Sequence, residues 1–437
     1  MKSLDETHDA GQKSWILSAN VNSCDFPLQN LPFGVFRRHK SQESFRGGVA
    51  IGDEIVDLGA AVDTGLFSGD ARIAAEAAAT STLNTFMSLG PAYRIALRQT
   101  LSALLRQGAA RQEDMRACLV PQTEAEYALP ATIGDFSDFY SSLHHATNVG
   151  ALFRPDNPVL PNFKWLPVGY HGRSSSIFVS GKTFRRPSGQ LKSPDTPAPE
   201  YRPSRRLDYE AELGIFVGRG NATGQPVDMD SAEEHVFGVS ILNDWSARDI
   251  QAWEYQPLGP FLAKSFTTTV SPWIVTLEAL APFRSPWTRD PTDPQPLPHL
   301  LGSDTRERGA IDIHVEVLLQ TARMRSDDIA PIKLSVSRFI DSYWTISQLI
   351  THQSSNGCNL CPGDLLGTGT LSGPERDSLA CLLELSRGGQ TPIALPNGEI
   401  RTFLEDGDTV IMRAYCERDG QVRIGFGQCV GTVLPAD

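Results

Sequence analysis

Long apolar runs are missing from this chain of 437 residues. No stretch approaches the ~18 consecutive apolar residues that a membrane-spanning helix requires, so the sequence predicts no membrane partner. The opening stretch, MKSLDETHDAGQKSW, is polar and lacks the apolar core of a signal peptide. Together these absences favour a cytoplasmic protein.

Positive charge is also in deficit. The formal net charge is -12 at neutral pH, and no basic stripe along the chain offsets it. Proteins that bind nucleic acids use clustered lysine and arginine to neutralise phosphates, so the balance argues against a nucleic-acid partner. It fits a soluble enzyme, or a protein that gathers carboxylates around a cation.

Cysteine is sparse, with seven residues in the whole chain. An odd number in a large chain without a signal peptide argues against a disulfide framework. Cys358 and Cys361 form a C-x-x-C, but no second pair is spaced to complete a zinc site with them. The sequence Pro-Gly-Asp follows at once, where a redox motif would begin a helix. Two unpaired thiols in a turn is therefore the favoured interpretation.

The length exceeds what one ordinary core supports, so two domains are expected. Apolar residues make up 40% of the chain and charged residues 21%, as in soluble globular proteins. In the first part, Gly47–Leu58 has the pattern of a hairpin with its turn at Gly52. Leucine spacing predicts a helix over Pro91–Gly108. A polar passage then ends at Pro130, which places a boundary between residues 1–129 and 130–437.

The second part is dominated by short apolar segments between Gly, Pro and Asp turns, which is typical of strands. Few of its segments have convincing helical spacing, so the fold class is mainly β within an α+β architecture. The Pro-rich stretch from Ala281 to Gly302 is expected to be an exposed excursion. The candidate strands are AELGIFVG, HVFGVSIL, IDIHVEVLLQ, SLACLLELS and DTVIMRAYC.

Two glutamates stand two residues apart in LDYEAELGIFVG. On a strand, Glu210 and Glu212 project from one face while the intervening apolar residues line the other. Carboxylates this close repel each other unless a cation lies between them. A solvent-facing strand would explain an isolated E-x-E, but this face continues with Gly214 and Phe216, which is not typical of a solvated surface.

Another acid follows an apolar strand in VSILNDWSARDIQAWEY. Asp244 is predicted to open a short helix whose single polar face carries Asp244, Arg248, Gln251 and Tyr255. The alternative is that Asp244 only caps the helix, with Arg248 as its surface partner. Asp138, in the polar stretch DFSDFYSSLHHATNVG, adds a further carboxylate. Four such groups would suit a hard divalent cation, which prefers oxygen ligands.

Longer motifs resemble the fumarylacetoacetate hydrolase family. They cover almost the whole chain in the family's order, and NDWSARDIQ is the most specific of them. The resemblance implies a small SH3-like N-terminal domain, a mixed β-sandwich roll after it, a homodimer, and Ca²⁺ or Mg²⁺ at the catalytic site. The motifs are FPLQNLPFGVF, DFYSS with HATNVG, LPVGYHGRSSS, LDYEAELGIFVG, NDWSARDIQAWEYQPLGPFLAKSF, GTLSGPE and IGFGQC.

The resemblance also implies roles for individual residues. The catalytic metal ligands fall on Asp138, Glu210, Glu212 and Asp244. The proton acceptor falls on His145, paired with Glu384, and charge on the attacked carbonyl would be stabilised by Arg248, Lys264 and Gln251. Substrate contacts fall on Tyr140, Arg154, Gln251, Tyr255 and Thr370. A second, structural Mg²⁺ would involve Asp244, Lys264 and Thr268, with Lys264 acting through its backbone oxygen because an ammonium cannot ligate a cation.

Some positions depart from the family pattern. The residues before His145 are Leu143 and His144, where the family commonly has Arg-Gln, and Thr267 stands where glycine is frequent. The change at Thr267 adds bulk beside the second metal position. Position in the motif selects His145 over His144 as the base, and His171 is more readily explained as a structural hydrogen-bonding residue.

The activity that the resemblance implies is metal-dependent hydrolysis of a carbon–carbon bond in 4-fumarylacetoacetate, a diketo-diacid. The products are fumarate and acetoacetate, at the last step of tyrosine and phenylalanine degradation. One alternative is a related activity on the same metal site: decarboxylation, isomerisation or acylpyruvate hydrolysis. Another is a calcium-stabilised binding protein, for which Lys264, Arg248 and His145 would be surplus.

Overall fold

An antiparallel sheet forms the heart of the N-terminal region in this computed structural model, which describes residues 4–193 and 195–437. The predicted hairpin is present, with Arg46–Ile51 paired to Glu54–Asp57. Gly52 turns the chain at φ 59°, a left-handed conformation that glycine adopts without strain. In spatial order the strands are Leu119–Pro121, Glu54–Asp57, Arg46–Ile51, Phe33–Arg38 and Ala125–Ala128.

Helices cover this sheet, so the region is mixed rather than purely β. The longest begins at Pro91, whose fixed φ suits a first helical turn, and it buries Leu97, Leu101 and Leu105. It ends at Leu105, three residues before the predicted end at Gly108, where the backbone turns extended at Arg106. The helices are Leu58–Asp63, Gly69–Ala78, Asn84–Ser88, Pro91–Leu105 and Gln112–Arg116.

The N-terminal region shares a buried core with the rest of the chain. Phe33 and Phe86 pack against Phe237, with ring centroids 6.1 and 5.3 Å from it. Arg94 forms a buried ion pair with Glu278, Nε to Oε2 at 2.6 Å. Because these contacts are apolar or fully paired, they fix the N-terminal region firmly to the larger one.

The larger region contains an eight-stranded mixed sheet. Two of its strand pairs are parallel, Leu365–Gly367 with Phe136–Phe139 and Thr268–Val270 with Ile177–Val179. In spatial order the strands are Gly169–His171, Phe136–Phe139, Leu365–Gly367, Ala211–Val217, Val236–Asp244, Thr268–Val270 and Ile177–Val179, and Val275–Thr276 also pairs with Val236–Asp244.

A five-stranded sheet packs against the eight-stranded one. The core between them combines side chains of both, such as Ile215 and Ile241 from the first and Val317 and Met412 from the second. Its strands are, in order, Ile332–Arg338, His314–Gln320, Thr409–Cys416, Ile424–Leu434 and Lys182–Arg185. The fold is therefore sheet-rich α+β.

Shorter elements complete the larger region. The two-stranded pairs are Ser188–Leu191 with Glu200–Pro203, Leu207–Asp208 with Ser246–Ala247, Arg284–Ser285 with Ala310–Ile311, and Ile393–Ala394 with Ile400–Arg401. The helices are Leu143–Phe153, Arg248–Glu254, Leu262–Ser265, Leu277–Leu280, Thr305–Arg308, Ala322–Ser326, Ile346–Ser354 and Leu382–Leu385. Within the described ranges, none of the helices combines the length and apolar character of a membrane span.

Three local predictions are wrong. Asp244 ends the strand Val236–Asp244 instead of opening a helix, because its backbone continues the ladder against Thr268. The segment predicted as the strand SLACLLELS contains the short helix Leu382–Leu385. The stretch from Ala281 to Gly302 is not simply exposed, since it buries Phe283, Trp287 and Leu300.

The predicted absence of disulfides is confirmed, because all seven cysteines are free thiols. Cys358 and Cys361 are both exposed and unpaired. They lie in the turn that leads to the strand Leu365–Gly367, as the sequence indicated.

Candidate active site

Three carboxylates converge on the eight-stranded sheet. Asp138 lies on the strand Phe136–Phe139, Glu212 on Ala211–Val217, and Asp244 at the end of Val236–Asp244. One oxygen from each lies within 4.8 Å of the others, and all three side chains are buried. The sheet therefore brings together acids that are between 32 and 106 residues apart in sequence.

A glycine makes this approach possible. Gly367 lies between the strand that carries Asp138 and the strand that carries Glu212. It is in register with Asp138 on one side and with Gly214 on the other. A Cβ at Gly367 would lie 2.3 Å from Asp138 Oδ1 and 3.1 Å from Glu212 Oε2. Sequence reasoning did not find this residue, because a glycine in the short segment LLGTGT has no distinctive local signal.

The cluster has the chemistry of a hard-cation site. Asp138 Oδ1 and Glu212 Oε1 are buried and have no hydrogen-bond partner among the described residues. Burial, followed by repulsion between neighbouring carboxyls, raises the pKa of Asp138 and of Glu212; burial also raises that of Asp244. Carboxylate oxygens without a countercharge fit Ca²⁺ or Mg²⁺, which would relieve the repulsion.

Glu210 lies beside this cluster but faces two cations. Its Oε1 accepts a hydrogen bond from Arg248 at 2.7 Å, and its Oε2 accepts one from the Lys264 ammonium. Burial would raise the pKa of Glu210, but Lys264 and Arg248 outweigh it and hold that pKa below its ordinary value. Lys264 also donates to Asp244, so one ammonium bridges two of the four expected metal ligands.

Arg248 is held by another acid that sequence reasoning passed over. Asp208 accepts from Arg248 Nε at 2.9 Å. It also accepts from the backbone N–H groups of Leu382 and Leu383 at 2.8 and 2.9 Å. The sequence did contain a signal for this residue, because Asp208 precedes Glu210 and Glu212 in the alternating acidic motif D-x-E-x-E of LDYEAEL.

A histidine–glutamate pair stands next to the carboxylates. His145 lies in the first turn of the helix Leu143–Phe153, which Ser142 caps by accepting from the His145 backbone N–H at 3.1 Å. The ring Nδ1 is 2.7 Å from Glu384 Oε2. Its Nε2 lies 3.9 Å from Glu210 Oε1. The pair is therefore built from two helices that are distant in sequence and pack against each other.

Glu384 stays ionised in this setting. Burial alone would raise its pKa, but His145 and hydrogen bonds from Ser372 and Asn148 lower it to about 2. Ser372 Oγ donates at 2.6 Å and Asn148 Nδ2 at 2.8 Å. Because an ionised carboxylate only accepts hydrogen bonds, His145 presents an N–H at Nδ1 to Glu384, and in the neutral ring this leaves Nε2 as the acceptor.

The other two histidines considered as the base, His144 and His171, are placed differently. His144 is half-buried and lies near Asp341, away from Glu384. His171 is exposed on the strand Gly169–His171. The neighbouring Tyr170, which sequence reasoning did not single out, donates to Asp244 Oδ2 at 2.9 Å.

One cavity of about 540 Å³ joins most of these groups, although neither Asp244 nor Glu384 lines it. It is lined by His145, by Asp138, Glu210 and Glu212, and by Arg248 and Lys264. Every residue expected to contact substrate also lines it: Tyr140, Arg154, Gln251, Tyr255 and Thr370. Such an enclosed mixture of acids, bases and apolar walls suits a small polar molecule.

A smaller cavity of about 140 Å³ lies alongside. Its lining includes Asp244, Lys264 and Thr268, the three residues expected at a second metal. Thr268 Oγ1 is 3.4 Å from Asp244 Oδ1. The bulk of Thr267 is buried nearby.

Comparisons with known proteins show which family the chain is similar to. The family model described as Fumarylacetoacetase N-terminal matches residues 29–130, and Fumarylacetoacetate (FAA) hydrolase C-terminal matches residues 136–434. The chain is 49% identical over 419 residues to "Fumarylacetoacetase" of Oryza sativa subsp. japonica, covering 94% of this chain and 95% of that protein. It is 49% identical over 418 residues to "Fumarylacetoacetase" of Homo sapiens, covering 94% and 97%.

Among solved structures, the chain is similar to a fumarylacetoacetate hydrolase from psychrophilic Exiguobacterium antarcticum. The match covers 93% of this chain and 99% of that one, with a TM-score of 0.50 and 17% identity. At that identity the likeness concerns the fold alone.

Proposed function

The chain belongs to the fumarylacetoacetate hydrolase family, and we propose that it hydrolyses 4-fumarylacetoacetate to fumarate and acetoacetate, the last step of tyrosine and phenylalanine degradation. The relatives named fumarylacetoacetase align with 94% of this chain and are 49% identical to it. The observation that carries the proposal is His145, which Glu384 holds through Nδ1 and which lines the same cavity as Asp138 and Glu212. A carbon–carbon hydrolase needs both a base for water and a centre that stabilises a carbanion.

The metal would be held by Asp138, Glu212 and Asp244, with Glu210 beside them, and we assign Ca²⁺ or Mg²⁺ to this site. The unpartnered oxygens of Asp138 and Glu212 support a hard cation there. When bound, such an ion supplies Lewis acidity that stabilises the enolate oxygen of the departing fragment.

His145 is the base in this proposal. Its Nε2 accepts a proton from water while Glu384 supports the imidazolium that forms. The water oxygen bonds to the attacked carbonyl carbon, the neighbouring carbon–carbon bond breaks, and the electron pair leaves with the acetoacetate fragment, which then takes up a proton. Base catalysis of this kind typically contributes ~100- to 10,000-fold.

Arg248, Lys264 and Gln251 would stabilise charge on the attacked carbonyl. Arg248 Nη2 is buried and unpartnered among the described residues, so it has a donor to offer. Preorganised donors of this type cost no reorganisation at the moment of reaction. The carboxylates of Asp208 and Glu210 hold the guanidinium in place.

The two ends of the substrate need partners of their own. Arg154 Nε is buried and finds no hydrogen-bond partner within the described part of the chain, although the side chain lines the cavity. A guanidinium and a phenol can bind a carboxylate together. We therefore assign one substrate carboxylate to Arg154 and Tyr140, and place Tyr255 and Thr370 against the rest of the molecule.

Further features of the family complete the proposal. We propose a cytoplasmic homodimer, with residues 1–129 as an SH3-like domain and 130–437 as a β-sandwich roll. Seven free thiols fit a reducing compartment. A second, structural Mg²⁺ is proposed at Asp244, Thr268 and the backbone oxygen of Lys264, since all three residues line the smaller cavity.

The test is the ultraviolet absorbance of fumarylacetoacetate, followed with and without the protein at saturating metal. Loss of the signal with release of fumarate supports the proposal. A strong preference for a shortened 1,3-diketo acid would favour an acylpyruvate hydrolase instead. Binding without turnover would favour a non-catalytic protein.

A further inference from the structure

A thiol lies against the histidine–glutamate pair. Cys381 is fully buried, and its Sγ is 3.1 Å from Glu384 Oε2. The same carboxylate oxygen accepts a hydrogen bond from His145 Nδ1 at 2.7 Å. The sulfur, the ring nitrogen and the carboxylate oxygen all lie within 4.8 Å of one another. The reaction proposed above has no use for the thiol.

We infer that Cys381, His145 and Glu384 form an inhibitory site for a thiophilic divalent cation, Zn²⁺ or Cd²⁺. Thiolate, imidazole and carboxylate are the ligands that zinc takes in proteins, with water able to fill a fourth position. The cluster of Asp138, Glu212 and Asp244 is different, because it offers only oxygen. The two centres therefore select different ions.

The spacing needs only a small adjustment. Tetrahedral zinc places a nitrogen and an oxygen ligand about 3.3 Å apart, and a sulfur and an oxygen about 3.6 Å apart. The present separations from Glu384 Oε2 are 2.7 Å for His145 Nδ1 and 3.1 Å for Cys381 Sγ. Widening each by roughly half an ångström, through side-chain rotation, would admit the ion.

Binding there would switch off the base, a step that rests on the proposed role of His145. The cation replaces the Nδ1 proton that His145 donates to Glu384, and that proton moves to Nε2. The thiol of Cys381 loses its proton to solvent, so one proton is released for each ion bound. With a proton on Nε2, the ring cannot accept another from water.

The surroundings favour a cation. His145 lines the 540 Å³ cavity, whereas Cys381 and Glu384 do not, so an ion arriving from the substrate side must pass the ring to reach the site. Arg248 opposes a positive ion, but Asp208 and Glu210 already pair with it. The remaining carboxyls make the site acid-rich overall.

Cadmium provides a direct probe, because cadmium bound to a thiolate has an ultraviolet charge-transfer band. The background protein carries Cys358→Ser and Cys361→Ser, since that exposed pair would bind soft ions itself. In the presence of saturating Ca²⁺ and a reductant, titration of this background protein with Cd²⁺ should produce the band with a stoichiometry of one Cd²⁺ per chain. One proton should be released for each Cd²⁺ bound. Adding Cys381→Ser should abolish both signals.

Cys118→Ser is the matched control. That thiol is also buried, and it donates to the Asp114 carbonyl at 3.4 Å, far from the cavity, so serine keeps the bond. The control should retain the cadmium band. If Cys381→Ser does not fold, Cys381→Ala takes its place.

Activity gives the second measurement. Zn²⁺ should inhibit the background protein, and Cys381→Ser should raise the half-inhibitory concentration at least about tenfold, each variant being scaled to its own uninhibited rate. Absence of the band in the background protein, or equal inhibition of the Cys381 variant, would overturn the inference. A cadmium band in a protein that does not hydrolyse fumarylacetoacetate would keep the site and reject the proposed function.

Discussion

Replacing Gly367 by alanine tests the metal site through its geometry alone. The added Cβ would lie 2.3 Å from Asp138 Oδ1, which is roughly 1 Å inside ordinary van der Waals contact. The Asp138 carboxylate or the strand Leu365–Gly367 must therefore move. Displacing one ligand by this much should weaken Ca²⁺ or Mg²⁺ binding by about 10- to 100-fold, the loss typical of a disturbed ligand. Overpacking of the sheet should cost about 1–3 kcal/mol of stability as well.

Gly214→Ala separates these two effects. Gly214 pairs in register with Gly367, but its Cβ would meet Leu365 at 3.0 Å and Ser240 Oγ at 3.1 Å, not a carboxylate. Both variants should unfold at lower denaturant concentration, while calorimetric titration with Ca²⁺ or Mg²⁺ should show the affinity loss only in Gly367→Ala. Wild-type metal affinity and turnover in Gly367→Ala would refute the carboxylate cluster as the cation site.

Other variants test the remaining roles. His145→Ala should remove nearly all turnover but keep binding of a substrate analogue, because base catalysis acts on the chemical step. His144→Ala should cost little activity. The reverse result would move the base to His144. Chelation should abolish activity and lower thermal stability together; full activity at negligible metal content would contradict a metal-dependent mechanism. Glu212→Gln should weaken metal binding while leaving the fold intact. Arg154→Leu should raise KM for fumarylacetoacetate by one to two decades, as expected for a charge-assisted contact of about 1.5 to 3 kcal/mol, and affect a shortened diketo acid much less. Because the pKa of Glu384 is lowered from 4.5 to about 2, its stabilising contribution should be present above pH 4.5 and disappear as the pH falls through 2; acid denaturation of Glu384→Gln should lack that component.

The strands that carry the site were largely predictable. Successive residues of Ala211–Val217 face opposite sides of the sheet, and the structure buries Ala211, Leu213 and Ile215 in the core between the two sheets, as expected. The period of two therefore identified the acid-bearing face correctly. Motif resemblance then added residues such as His145 and Thr370, for which periodicity has no signal.

The errors have a common physical cause, which is that tertiary contacts decide between short local alternatives. Asp244 resembles a helix cap in sequence, but pairing with Thr268 keeps it extended. Cys381 to Leu385 has the apolar run of a buried strand, yet Asp208 accepts from the N–H groups that a sheet would otherwise pair. Neither partner is visible within a local sequence window.

The same face of the eight-stranded sheet explains why the N-terminal region matters to the site. Glu212 and Phe216 lie on that face of their strand, and Leu242 is in register with Glu212. Phe216 and Leu242 belong to the core shared with the N-terminal sheet and helices. On this face, carboxylates that repel one another thus lie beside apolar side chains that are buried against the N-terminal region. Burial of those apolar side chains offsets the strain that the acids impose, at about 1.5–3 kcal/mol for each large side chain. The N-terminal region therefore helps to hold the strands that carry the proposed metal ligands, although none of the residues assigned to catalysis lies within it.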